Sequence, residues 1–207
     1  MQKTFLNDAK KTLVCDFDGT LIQGDSETFL INYLREKHYL DWKNYLLALV
    51  SIPTNRLCKF FGGHDIVRAW SAFNPYPKNE KLISDFLNDE QYIHFNQSVI
   101  ELIESYDGNK LLLTGSNQKL AEGILSKYKL SCLFDNVIGS STKDNGFIVE
   151  RHPYGKAKVK LLPTACEIGI GNEYNDRFFL QYCQTAYVVN PDPKLLKLAI
   201  AHNWNII

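Results

Sequence analysis

The stretch Thr12-Leu13-Val14-Cys15-Asp16-Phe17-Asp18-Gly19-Thr20 sets the frame for the whole chain. Four apolar or small residues lead into charge, the pattern of a buried strand that ends at a site. Side chains on a strand alternate between faces, so Asp16 and Asp18 point the same way while Cys15 and Phe17 pack into the layer. Two carboxylates at the mouth of a buried strand repel each other and are poorly hydrated. A hard, oxygen-seeking cation such as Mg²⁺ offsets that cost. Gly19 permits a sharp turn, and the Thr20 hydroxyl can hold it. Paired aspartates with divided roles suit covalent phosphoryl transfer, in which one attacks phosphorus and the other moves a proton to and from oxygen.

Outward from this strand, the same apolar form recurs at Lys110 to Gly115, Phe134 to Gly139, Glu167 to Gly171 and Ala186 to Asn190. Helical patterns lie between them. Val99, Leu102, Ile103 and Tyr106 share one face, and Leu120, Ile124, Leu125 and Tyr128 share another, behind a candidate N-cap at Asn117. A last helix is expected over 191–203. Strands alternating with helices specify an α/β fold, a doubly wound parallel sheet. The segment 23–95 breaks the rhythm: Phe29, Leu30, Tyr33 and Leu34 form one helical face, Trp42, Tyr45, Leu46 and Leu49 another, and Pro53, Gly62-Gly63, Pro75 and Pro77 punctuate it. The expected organisation is a core of residues 1–22 and 96–207, with a helical cap, residues 23–95, inserted after the first strand.

The 207 residues are 45% hydrophobic, enough to bury a substantial core. Lys plus Arg equals Asp plus Glu at 23 each, which gives no electrostatic reason to expect nucleic acid or an anionic membrane as partner. Cys15, Cys58, Cys132, Cys166 and Cys183 are scattered and odd in number, so neither a disulfide framework nor a zinc site is expected. The N-terminus lacks a secretory signal, and the most apolar window, Tyr45 to Val50, is far short of the ~20 residues that span a bilayer. A cytoplasmic protein without an integral membrane segment is expected.

The segment Asp16-Phe17-Asp18-Gly19-Thr20-Leu21 resembles the first motif of the haloacid dehalogenase-like superfamily, and the later motifs follow in order. Thr114, in Leu112-Leu113-Thr114-Gly115-Ser116, matches the second-motif hydroxyl. Tyr154-Gly155-Lys156-Ala157-Lys158-Val159 matches the lysine motif. Its G-x-x-K-V form favours Lys158, with Lys156 as the fallback. Gly171-Asn172-Glu173-Tyr174-Asn175-Asp176 matches the acidic fourth motif, with Asn172 where the family has its first acid. Val189-Asn190-Pro191-Asp192-Pro193 is similar to the C-terminus of the phosphoserine-phosphatase-like branch (subfamily IB-like). Asn74-Pro75-Tyr76 and the Gly-Asn pair are similar to domains of this superfamily fused to UbiA-type prenyltransferases.

The resemblance implies a Mg²⁺-dependent phosphatase acting on a small phosphorylated metabolite through an aspartyl-phosphate. Asp16 would be the nucleophile and Asp18 the general acid and base. Lys158 and Thr114 would hold the phosphoryl group, with Phe17 and Gly115 completing its cradle. Asp16, Asp18, Asn172 and Asp176 would serve the metal. Asn172 can still offer a carbonyl oxygen but no charge, which lowers the expected metal affinity. Substrate choice would lie with the cap, where Arg56, Arg68, His38 and His64 could bind an anionic group and Trp42, Phe60, Phe61 and Trp70 could wall an apolar one. Two other readings are a phospholigand-binding module weakened in turnover by Asn172, and a phospho-accepting regulatory domain. The acid Asp18 and the large cap count against the latter.

Overall fold

The computed structural model describes residues 11–37, 80–88, 93–143 and 148–207. The cap residues His38, Trp42, Arg56, Phe60, Phe61, His64, Arg68 and Trp70, the segment Asn74-Pro75-Tyr76, and Cys58 lie outside the described residues.

Strand β1, Thr12–Cys15, is flanked by β2, Asn109–Asn117, and by β5, Cys166–Gly171. Beyond β2 lie β3, Asn136–Lys143, and β4, Ile148–Arg151. Beyond β5 lie β6, Thr185–Val188, and β7, Asn205–Ile206. The seven strands run in the order β4-β3-β2-β1-β5-β6-β7. All neighbours pair in parallel except β3 and β4, which form an antiparallel edge. The sheet is therefore mixed rather than purely parallel.

Helices α1, Ser26–Glu36, and α2, Glu80–Leu87, precede α3, Gln97–Ser105, and α4, Gln118–Lys127. Short helices α5, Lys156–Val159, and α6, Arg177–Leu180, precede α7, Pro193–His202. The Asn117 side chain caps α4 by accepting the Leu120 N–H at 3.2 Å. Asp192 caps α7 through the Lys194 and Leu195 N–H groups.

Alternation along the strands sorts the core onto two faces. Leu13, Cys15, Leu112 and Ile170 face one way and pack with Leu30 and Tyr33 of α1, Phe86 of α2, Ile103 of α3 and Ile124 of α4. Val14, Leu111 and Leu113 face the other way and pack with Phe179 and Leu180 of α6 and Leu195 and Ala199 of α7. Both faces of the central strands are thus covered, which is why they read as continuous apolar runs. The chain leaves after Ile22 and returns at Phe95, and these two residues form a bridge. Gln23 N–H donates to the His94 carbonyl at 2.8 Å, and Asn96 N–H to that of Leu21 at 2.9 Å.

The absence of a disulfide expected from cysteine spacing does not hold. Cys166, at the start of β5, is bonded to Cys183, just past α6. Residues 17 apart in sequence come to a Cα–Cα distance of 4.8 Å because α6 folds back on β5. Cys15 and Cys132 are free. Among the described residues, no helix is long and apolar enough to cross a membrane.

Leu112 lies on a central strand with no exposed surface. Truncation as Leu112→Ala is expected to cost about 2–5 kcal/mol, from lost transfer energy and the cavity left behind. Urea unfolding followed by far-ultraviolet circular dichroism measures this, and a loss under about 1 kcal/mol would contradict the packing described.

Candidate active site

Register brings the motifs together. Cys15 pairs with Leu112 on one side and Ile170 on the other. Asp16, Thr114 and Asn172 therefore emerge one or two residues later at the carboxyl ends of three adjacent parallel strands. In open α/β sheets, ligands bind beyond such ends.

Lys158 occupies the centre. Its amine is buried and donates to Asp16 Oδ1 at 2.6 Å and to Asp176 Oδ1 at 2.8 Å. Burial works against its charge, but the two carboxylates together outweigh it and raise the amine's pKa. Lys156 is elsewhere, with its amine 5.2 Å from the centroid of the Phe178 ring. The geometry thus separates the two candidate lysines. Asp176 also accepts the N–H groups of Asn172 and Glu173 on Oδ2, at 3.2 and 3.0 Å. Both of its oxygens are engaged in holding Lys158 and the turn after β5.

Burial pushes the Asp16 carboxyl from 3.8 up to about 8, with Lys158 pulling against it and Asp176 adding to the rise. Thr20, fully buried, places its hydroxyl 3.4 Å from Asp16 Oδ2 and 3.0 Å from Asn172 Oδ1. Oxygens from two strands therefore converge on one hydroxyl. This pair of side-chain oxygens is a donor set compatible with Mg²⁺, an ion that keeps several waters and needs only one or two carboxylates. The set carries less charge than the family pattern. Among the described residues, no group of three or more His, Cys, Asp and Glu side chains could hold a metal. Gly19 is required beside it: its φ is +69°, and a Cβ there would lie 2.1 Å from Asn172 Nδ2.

Asp18 is held at both oxygens. Oδ1 accepts the Ser26 N–H at 2.7 Å, and Oδ2 accepts the Ser116 hydroxyl. Burial, with Asp25 nearby, raises this carboxyl from 3.8 to about 6 against the pull of Ser116 and Ser26. Thr114 Oγ1 accepts the Ser116 N–H at 3.0 Å. The Phe17 ring is fully buried in the core, and its carbonyl accepts the N–H groups of Thr20, Leu21 and Ile22. A Cβ on Gly115 would lie 3.4 Å from the Tyr154 ring. Ser116 and Ser26 were not singled out from the sequence. An S/T residue two past the motif hydroxyl reads as an ordinary turn until the fold sets it against Asp18.

The haloacid dehalogenase-like hydrolase family model matches residues 13–178, and the chain belongs to that family. No curated protein matches the sequence. Among solved structures, a Bordetella pertussis Tohama I protein of unknown function is similar at 15% identity, with a TM-score of 0.73 over 96% of this chain and 99% of that one. A predicted phosphatase from Clostridium acetobutylicum is similar at 18% identity, TM-score 0.56, over 95% and 93%. A phosphoserine phosphohydrolase-like protein from Francisella tularensis subsp. tularensis SCHU S4 is similar at 14% identity, TM-score 0.55, over 95% and 94%. These likenesses bear on the fold. The chain is a hydrolase of the family its sheet and site motifs describe.

Asp18 has a folded-state pKa above its unfolded value, so its contribution to stability is complete below about pH 3.8 and is lost as pH rises through about 6. The metal-free protein should therefore melt at a falling temperature across that window. Asp18→Asn should make the trend shallower, with Asp16 supplying the remaining slope, as differential scanning calorimetry in chelator would register. An unchanged slope in the variant would assign the trend to other groups.

Proposed function

We infer that this hydrolase is a Mg²⁺-dependent phosphatase that cleaves a small phosphomonoester through an aspartyl-phosphate on Asp16. The observation that carries this reading is the Lys158 amine, buried and 2.6 Å from Asp16. A buried cation beside a buried carboxyl pulls that group toward its ionised form against the effect of burial, and draws an anionic phosphoryl group to it.

Asp16 Oδ2, Asn172 Oδ1 and the Asp18 main-chain carbonyl would hold Mg²⁺, which when bound supplies positive charge against the phosphoryl oxygens. Asp16 attacks phosphorus in line as the bond to the leaving oxygen breaks, and the Asp18 proton goes to that oxygen. Asp18 then takes a proton from the water that attacks phosphorus, and the electron pair of the broken bond returns to the Asp16 carboxylate. Lys158, the Thr114 hydroxyl and the main chain at Phe17 and Gly115 orient the phosphoryl group. Asp176 acts here by fixing Lys158 and the Asn172 turn. We assign residues 23–95 to a substrate-selecting cap, in keeping with the paired exit and return at Ile22 and Phe95.

Asp16→Asn is expected to lower Mg²⁺-dependent hydrolysis of an aryl phosphate on the order of 10³-fold or more, since the amide that replaces the carboxylate does not take the phosphoryl. A correctly folded variant that keeps its rate would refute the nucleophile assignment.

The neutral Asn172 favours one second reading, a phospholigand-binding module. Asn172→Asp separates the two. For a phosphatase, the Mg²⁺ concentration giving half-maximal rate should fall about tenfold, from the added carboxylate. An inert parent beside an active variant, with Mg²⁺ and phosphate binding retained in calorimetry, would select the binding module.

A further inference from the structure

We propose that Ser116 is the positioning residue for the general acid, choosing which oxygen of Asp18 carries the proton and aiming it. This rests on the phosphatase reading above and adds a residue that the motif pattern does not contain.

The inference follows from the two partners of one carboxyl group. Asp18 Oδ1 faces the Ser26 main-chain N–H at 2.7 Å. An N–H can only donate, so this contact favours Oδ1 as the acceptor and Oδ2 as the oxygen that carries the proton. Oδ2 faces the Ser116 hydroxyl. A hydroxyl both donates and accepts and rotates to suit. It donates to Oδ2, which keeps a further lone pair or its proton free to face the leaving oxygen, so the contact survives both halves of the catalytic cycle. Ser116 is itself fixed: it is buried, and its N–H is tied to Thr114 Oγ1 at 3.0 Å. The same three-residue segment at the end of β2 thus places a phosphoryl-binding hydroxyl at Thr114 and an acid-directing hydroxyl at Ser116.

The role divides cleanly by leaving group. When Asp16 attacks, the P–O bond to the leaving group breaks and its electron pair stays on that oxygen, which then takes the Oδ2 proton of Asp18. A p-nitrophenolate leaves without needing that proton, whereas an unsubstituted phenolate needs it. Loss of the Ser116 hydroxyl should therefore slow the second far more than the first.

The test is single-turnover release of phenol by the full chain with Mg²⁺, using phenyl phosphate and p-nitrophenyl phosphate. In Ser116→Ala, phenyl phosphate should react on the order of tenfold more slowly, the effect of one hydrogen bond to a charged group, and p-nitrophenyl phosphate within about twofold of the parent. Ser116→Thr, which keeps the hydroxyl, should restore the phenyl phosphate rate. Equal losses on both substrates, or no loss on either, would overturn the positioning role, since a merely structural effect is blind to the leaving group. If Ser116→Ala does not fold, Ser116→Cys, of similar size but a weak donor, carries the same comparison. A folded parent that hydrolyses neither ester overturns the phosphatase reading and this inference with it. A parent active on both, with losses that do not discriminate, overturns this inference alone.

Discussion

The Lys158 ammonium between Asp16 and Asp176 is the contact on which the rest of the site depends. All three groups are buried. Each carboxylate alone would face a desolvation cost of several kcal/mol in such a place, and removing the lysine would leave two like charges uncompensated. The bridge joins three parts of the chain that are remote in sequence: the end of β1, the short helix α5 and the turn after β5. Its geometry is therefore also a statement about how those elements pack.

The arrangement is built for electrostatics more than for stability. A buried ion pair is weak evidence of net stabilisation, because apolar residues of the same volume often serve as well. What the lysine supplies is a preorganised positive charge between two carboxyl groups in a buried region. The structure supports this charge from behind. Asp176 is locked by the Asn172 and Glu173 N–H groups, and Gly171 has no side chain to crowd it: a Cβ there would lie 2.9 Å from Asp176 Cβ. The Cys166–Cys183 bond closes the stretch that carries this turn and ties β5 to the chain beyond α6.

Asn172 shifts the charge balance on the other side of Asp16. With an amide in place of a carboxylate, the position keeps one carbonyl oxygen and loses a negative charge. The Thr20 hydroxyl spans Asp16 and Asn172, and Gly19 leaves room for the amide, so the substitution is accommodated by close packing rather than left as a gap. An amide set this tightly is part of the site's design as it stands.

Much of this was legible along the chain. The run Thr12 to Cys15, the paired aspartates, the cap at Asn117 and the final Pro-initiated helix are local features, and local propensity and period decide them. Apolar strands of four to six residues announce burial on both faces, which is enough to expect a doubly wound sheet. The G-x-x-K-V form already favoured Lys158 over Lys156, whereas the antiparallel edge strand β4 and the pairing of Cys166 with Cys183 were not legible. Each depends on a distance between elements, and no spacing in the sequence encodes it. The same holds for Ser116, an unremarked turn residue until β2 sets it against Asp18. The sequence by itself determined which chemical groups are present, their order and the strand that leads into the paired aspartates. Only the tertiary structure decided which lysine meets Asp16, what holds Asp18 and where Asp176 directs its oxygens, because hydrogen bonds act over about 3 Å and only packing brings distant residues that close.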